Sequence, residues 1–109
     1  MVLKNTSKNT ILSKDLKEVT GFLDQLLGLI RKSNPRSLLF RSRFGIHTFF
    51  LKEPIDIVVL DHNFRVVKLK ENLKPFRIFF WNPKYKYVLE LPGGIIKKTK
   101  LTKHDKLTY

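Results

Sequence analysis

Cysteine is missing from all 109 residues. That absence excludes a disulfide scaffold and any thiolate-bound zinc site, and it permits a reducing compartment. Acidic residues are scarce as well: nine Asp and Glu stand against 22 Lys and Arg, for a formal net charge of +13 and a pI near 10.2. No apolar run approaches the roughly 18 residues of a membrane span, and the opening Met-Val-Leu-Lys-Asn-Thr-Ser-Lys lacks the apolar segment of a secretory signal. No internal repeat, low-complexity tract or linker interrupts the chain. These absences predict one soluble cytoplasmic domain over residues 1–109, with no membrane partner. A chain of this length buries roughly 65% of its unfolded surface without staples.

The positive charge is concentrated. Between Asp24 and Glu53 there is no acid, while Arg31, Lys32, Arg36, Arg41, Arg43 and Lys52 lie inside. A second acid-free stretch holds Lys74, Arg77, Lys84 and Lys86, and the tail adds Lys97, Lys98, Lys100, Lys103 and Lys106 against Asp105. Such an excess attracts polyanions. A heat-adapted surface is the alternative source of charge, but ion-pair networks raise glutamate together with lysine, and only four glutamates are present. A basic composition without function stays open beside polyanion binding.

Hydrophobic periodicity divides the chain into a helical and a β part. Val2–Lys4 and Thr10–Leu12 read as short strands about the polar turn from Asn5 to Asn9. Leu16, Val19, Phe22, Leu23, Leu26, Leu27 and Ile30 then recur at three- and four-residue spacing, which predicts an amphipathic N-terminal helix. Its start is open: Ser13 can cap a helix from Lys14, or Thr20 can cap one that follows extended chain. Ser33-Asn34-Pro35 ends it in either case. Beyond Pro35, strands are predicted at Leu38–Phe40, Gly45–Leu51, Ile55–Leu60, Phe64–Leu69 and Tyr85–Leu91, parted by turn signals at Glu53-Pro54, Asp61-His62-Asn63 and Pro92-Gly93-Gly94. Ile55–Leu60 is apolar on both faces except at Asp56, the pattern of a central strand. Phe64–Lys70 mixes apolar and basic positions and reads as nearer an edge. One helical turn over Ile95–Thr99 precedes a last strand, Lys106–Tyr109. The expected fold is mostly β (α+β), a compact sandwich or barrel-like domain with one N-terminal helix.

Three stretches in order carry a likeness: His47-Thr-Phe-Phe-Leu51 with Pro54-Ile-Asp-Ile57, then Phe64-Arg-Val-Val67, then Tyr87-Val-Leu-Glu-Leu-Pro-Gly-Gly94. With Leu27-Gly-Leu-Ile30 before them and Leu101-Thr-Lys-His-Asp-Lys-Leu107 after, the chain closely resembles the domain of unknown function 192 family nearly end to end. Ile30 and Leu51 stand where that family has methionine, which conserves volume. His104 replaces the glycine of the last turn, and histidine is among the few residues tolerated at a left-handed position. The resemblance implies a fold; the family has no established activity, so it implies no function.

Few residues offer chemistry. His47 and Asp56 flank the expected Lys52-Glu53-Pro54 hairpin. Either Asp56 orients His47 as a base or ligand, or Asp56 is a buried carboxylate satisfied by backbone donors. No serine or second histidine completes a catalytic set, so the structural reading is preferred and an enzyme is not expected. Glu90 lies in an apolar strand, where a solvent-facing salt bridge is the default and a pocket with His47 and Asp56 is the alternative. His62 and His104 fall in turns and should be exposed. No close-spaced ligand pair supports a metal, and Gly93-Gly94 lacks the spacing of a phosphate loop, so no cofactor is expected. Phe76-Arg-Ile-Phe-Phe-Trp-Asn-Pro-Lys-Tyr-Lys-Tyr87 interleaves rings with cations as single-strand binders do. Phe80, Trp81 and Tyr85 are the rings expected at the surface. The sequence therefore supports a non-enzymatic module for an anionic polymer, RNA first, with Arg36, Arg41, Arg43, Trp81, Lys84 and Lys86 as the contact residues. An accessory domain with a small-ligand or protein pocket near His47 and Asp56 is the competing reading.

Overall fold

The computed structural model describes residues 1–18, 37–43, 45–47 and 53–109. The expected helix from Thr20 to Ile30, its end at Ser33-Asn34-Pro35, and Arg36 lie outside them. The described chain is mostly β, with strands β1 (Leu3–Asn5), β2 (Thr10–Ser13), β3 (Lys17–Glu18), β4 (Leu38–Arg41), β5 (Gly45–His47), β6 (Ile55–Leu60), β7 (Val66–Leu73), β8 (Ile78–Phe80), β9 (Tyr87–Pro92) and β10 (Leu107–Thr108), and a short helix α1 (Ile95–Thr99).

A helix from Lys14 is overturned. Ser13 Oγ does accept the Asp15 N–H at 3.3 Å, but as a local turn. The Leu16 and Lys17 N–H groups go to the Met1 and Ser37 carbonyls at 2.9 Å each, and β3 runs parallel to β4. With those donors committed to distant residues, no helix starts at Lys14: residues 14 and 15 bend, and Lys17–Glu18 are extended.

Five strands form the main sheet in the order β3-β4-β9-β6-β7. β6 is interior and its residues Asp56 to Leu60 are buried, as its apolar pattern on both faces requires. β7 is the edge strand predicted from its mixed pattern. The register Asp56↔Leu91, Ile57↔Glu90, Val58↔Leu89 and Val59↔Val88 assigns each side chain to a face, because directly paired residues share one and neighbours alternate. The first face carries Leu39, Val58, Leu60, Leu89 and Leu91. It packs against Leu3, Leu12 and Leu107 of the three-stranded sheet β10-β1-β2, together with Ile96 of α1. The second face carries Leu38, Phe40, Ile57, Val59 and Val88, packed with Ile46, Phe79 and Trp81 from the β5-β8 region.

That second cover departs from expectation. β5 pairs antiparallel with β8, as Gly45↔Phe80, Ile46↔Phe79 and His47↔Ile78, while β6 pairs with β7 and β9. His47 and Asp56 thus sit in different sheets, not in paired strands of one hairpin. The turns behave as read. Gly94 enters α1 at φ 96 and Lys100 leaves it at φ 57, and His104 takes the left-handed position at φ 75.

Candidate nucleic-acid interface

Four of the expected cations gather where β4 ends and β9 begins. Arg41 is paired with Tyr87 across these strands. The Arg41 guanidinium and the Lys86 ammonium lie 5.6 Å and 5.5 Å from the Tyr87 ring centroid. Farther round the same end, Arg43 Nη1 donates to the Pro83 carbonyl at 3.1 Å, and the Lys84 ammonium is 5.8 Å from the Tyr85 ring centroid. The cations therefore rim the sheet end from its first face to its second. Arg36, the remaining one, is outside the described residues.

Trp81 corrects the sequence reading. Its loop is present, but the indole is only 5% exposed and belongs to the second core. Nε1 donates to the Ser42 carbonyl at 3.1 Å and to the Tyr85 carbonyl at 2.9 Å. The Ser42 N–H donates to the Lys86 carbonyl at 2.9 Å, and the Asn82 side chain accepts the Lys84 N–H at 3.0 Å. An Asn-Pro turn does set the backbone at the surface. The ring turns inward because a large apolar surface with one donor gains most where the body is dry and the N–H is met. Trp81 is thus the clamp beneath the rim and cannot offer a face to a ligand. Of the other rings expected at the surface, Phe80 is exposed and Tyr85 half-buried.

Beside Tyr87 lies a second aromatic group. Phe64 is 5.1 Å from Tyr87 and 5.6 Å from Tyr109, centroid to centroid. Burial raises the Tyr109 phenol pKa, the charges of Glu18 and Tyr87 add to it, and Arg41 opposes. An open groove of about 300 Å³ runs past this group, lined by His62, Asn63, Phe64 and Lys106 to Tyr109. Lys106 Nζ donates to the Asn63 carbonyl and closes one side. His62 and His104 are exposed, as their turns implied.

The expected pocket of His47, Asp56 and Glu90 does not assemble. Asp56 pairs with Leu91 and Glu90 with Ile57, so the two carboxylates face opposite sides of the sheet. Asp56 is fully buried and is satisfied by backbone donors: the Asn72 N–H at 2.9 Å and the Ile96 N–H at 2.8 Å. That is the structural reading, with the donors supplied by β7 and α1. Glu90 is not solvent-facing. It is 5% exposed, set between Leu38 and Ile57, and its Oε1 has no hydrogen-bond partner among the described residues. Burial pushes its carboxyl up to about 7.

Sequence reasoning missed β8 and two exposed apolar residues in or just before it, Phe76 and Ile78. Ile78 and Phe80 stand two apart, the period of a strand face, whereas Phe76 lies in the turn before β8 at φ 61.

Comparison with known proteins agrees with the architecture. A UPF0127 protein of Pyrococcus horikoshii is 33% identical over 99% of this chain and 98% of its own length. One from Pyrococcus furiosus is 29% identical over 96% and 95%. A crystal structure of a protein of unknown function from Novosphingobium aromaticivorans superposes with a TM-score of 0.82 at 17% identity, covering 99% of this chain and 82% of that one. A Sinorhizobium meliloti protein described as a putative transcription regulator gives 0.76 at 19%, covering 98% and 89%. Residues 4–109 match the family DUF192, described as Uncharacterized ACR. With a match of that extent, the chain belongs to the DUF192 family.

Proposed function

We propose that the protein is a non-enzymatic module that binds an anionic polymer, RNA first, at the basic rim. One observation carries the reading. Arg41 and Arg43 come from one acid-free stretch and Lys84 and Lys86 from another, and the Trp81 clamp holds the two together at one sheet end. A merely basic composition requires no such convergence. Cations held by a hydrogen-bonded loop lose little entropy on meeting phosphates, which raises the yield of each contact. The likeness to the Sinorhizobium protein supports this reading no further than a shared fold.

Phosphate contacts release counterions, so log affinity for single-stranded RNA should fall linearly with log salt, by about 0.7 per contact. Arg43→Gln and Lys84→Gln should each flatten that slope by about one contact. A titration showing no binding to the parent protein at low ionic strength would sink the proposal.

A further inference from the structure

We infer that the polymer is bound as a single strand, its unpaired bases stacking on the ring of Phe80 and along the stripe that Phe80 forms with Ile78 in β8, with Phe76 exposed in the preceding turn. The inference rests on the polyanion reading and adds to it the state of the ligand and the residues that read it.

Three observations meet here. Phe76, Ile78 and Phe80 are 69%, 54% and 64% exposed, although a protein surface with so much lysine available has no need to show three large apolar side chains within one short segment. Ile78 and Phe80 flank Phe79, which packs against the second core, so the pleat of β8 sends those two outward together, while Phe76 lies in the turn before the strand at φ 61. The ring of Phe80 is also seated. It lies against Gly45, its partner across β5, where an added Cβ would come within 2.9 Å of Phe80 Cδ1 and 2.5 Å of the Phe79 carbonyl oxygen. Gly45 has φ +148, a conformation suited to glycine, and the missing side chain leaves the space.

The surroundings of the stripe are cationic. Lys68 Nζ donates to the Phe80 carbonyl at 2.9 Å and lies 4.8 Å from the Phe79 ring centroid. Arg43 is two residues from Gly45, whose carbonyl accepts the Ser42 hydroxyl at 2.9 Å. Exposed rings bordered by fixed positive charge suit a ligand with flat π faces on an anionic backbone, which is single-stranded nucleic acid. A duplex keeps its bases stacked on one another and cannot use the rings. A plain polyanion has no bases to offer. Stacking on phenylalanine involves no hydrogen-bond readout, so sequence preference should be weak.

The experiment compares three probes on the intact chain: a single-stranded RNA, the blunt duplex of the same sequence, and inorganic polyphosphate. The single strand should bind tightest. Phe80→Ala should weaken it by about 5- to 100-fold with the salt slope unchanged, because stacking releases no counterions. Phe76→Ala should weaken it less. Polyphosphate affinity should not change in either variant, and Phe80→Trp should retain single-strand binding, which guards against a folding artefact. Equal affinity for all three probes, with Phe80→Ala indistinguishable from parent, would overturn the stacking inference and leave the polyanion reading standing. Failure to bind any probe removes both. Self-association at rising concentration that Phe80→Ser abolishes would assign the stripe to a second copy and also overturn the inference.

Discussion

On the first face of the central sheet Asp56 is fully buried, yet both carboxylate oxygens accept backbone N–H groups, one from β7 and one from α1. One strand away, on the second face, Glu90 is buried to nearly the same degree among Leu38, Ile57 and Val88, and its Oε1 meets no donor among the described residues. A third buried acid, Asp105, resembles the first. It accepts from Lys8 Nζ at 2.7 Å, Asn5 Nδ2 at 2.9 Å and the Thr102 N–H at 3.0 Å. Depth in the protein therefore does not decide how a carboxylate behaves. Supply of donors decides it: β7 and α1 present N–H groups to Asp56, and Lys8, Asn5 and Thr102 present theirs to Asp105, whereas the described cover of the second core brings Ile46, Phe79 and Trp81.

The second face depends on packing around one aromatic anchor, so the largest effect is expected there. Trp81→Ala should cost about 3–5 kcal/mol, the range for emptying a buried aromatic site. It also strips a donor from the Ser42 and Tyr85 carbonyls. Urea unfolding measures it. A loss below about 1 kcal/mol would mean that the clamp is dispensable. Trp81 is the only tryptophan, so the parent's emission should be blue-shifted and unquenched by RNA.

Next in size is the pH response of Glu90. Its folded-state pKa of about 7 exceeds the ordinary 4.5 because burial penalises the charged form. The unfolded chain therefore releases this proton first. The contribution of Glu90 to stability is fully present below about pH 4.5, declines between 4.5 and 7, and is lost above, a change of about 3 kcal/mol at most. Glu90→Leu should remove this slope and leave the protein as stable or more so at pH 8, since a buried carboxyl whose Oε1 meets no donor among the described residues gives way to an apolar side chain. Asp105 should respond with the opposite sign. Burial pushes its pKa up, but the hydrogen bonds from Lys8, Thr102 and Asn5 outweigh that and hold it below 3.8. Its contribution is present above that value and lost as pH falls through the folded pKa. Parallel melts of parent, Glu90→Leu and Asp105→Asn from pH 3 to 8 separate the two; an unchanged profile for Glu90→Leu would contradict the contrast between the faces.

The smallest of the three effects is at Asp56. Asp56→Ala should destabilise by about 1–3 kcal/mol, because the Asn72 and Ile96 N–H groups lose their acceptor. Asp56→Asn should recover part of this, since an amide oxygen replaces one acceptor and its NH₂ replaces none. Superimposable urea melts for Asp56→Ala and parent would show that those donors are met in another way.

Much of this was legible along the chain. Ile55–Leu60 had to be central because it is apolar on both faces, and the hydropathy of Phe64–Lys70 placed β7 at an edge. Pro92-Gly93-Gly94 marked a turn, the family likeness put His104 at a position where glycine is usual, and charge counting located both basic stretches. Such properties depend on a residue and its near neighbours, so a linear reading recovers them. The pairing of β5 with β8 was not recoverable in this way. Nor was the separation of Asp56 from Glu90 by the thickness of a sheet, because a shift of one residue in register exchanges the faces and leaves the sequence pattern intact. The inward turn of Trp81 belongs with these, since it depends on two carbonyls, Ser42 and Tyr85, that only the folded chain sets side by side. Composition determined that this protein is basic, and the hydrophobic pattern that it is mostly β. Tertiary pairing decided which cations share a rim, which rings stay outside it, and which carboxylate has an oxygen that meets no donor among the described residues.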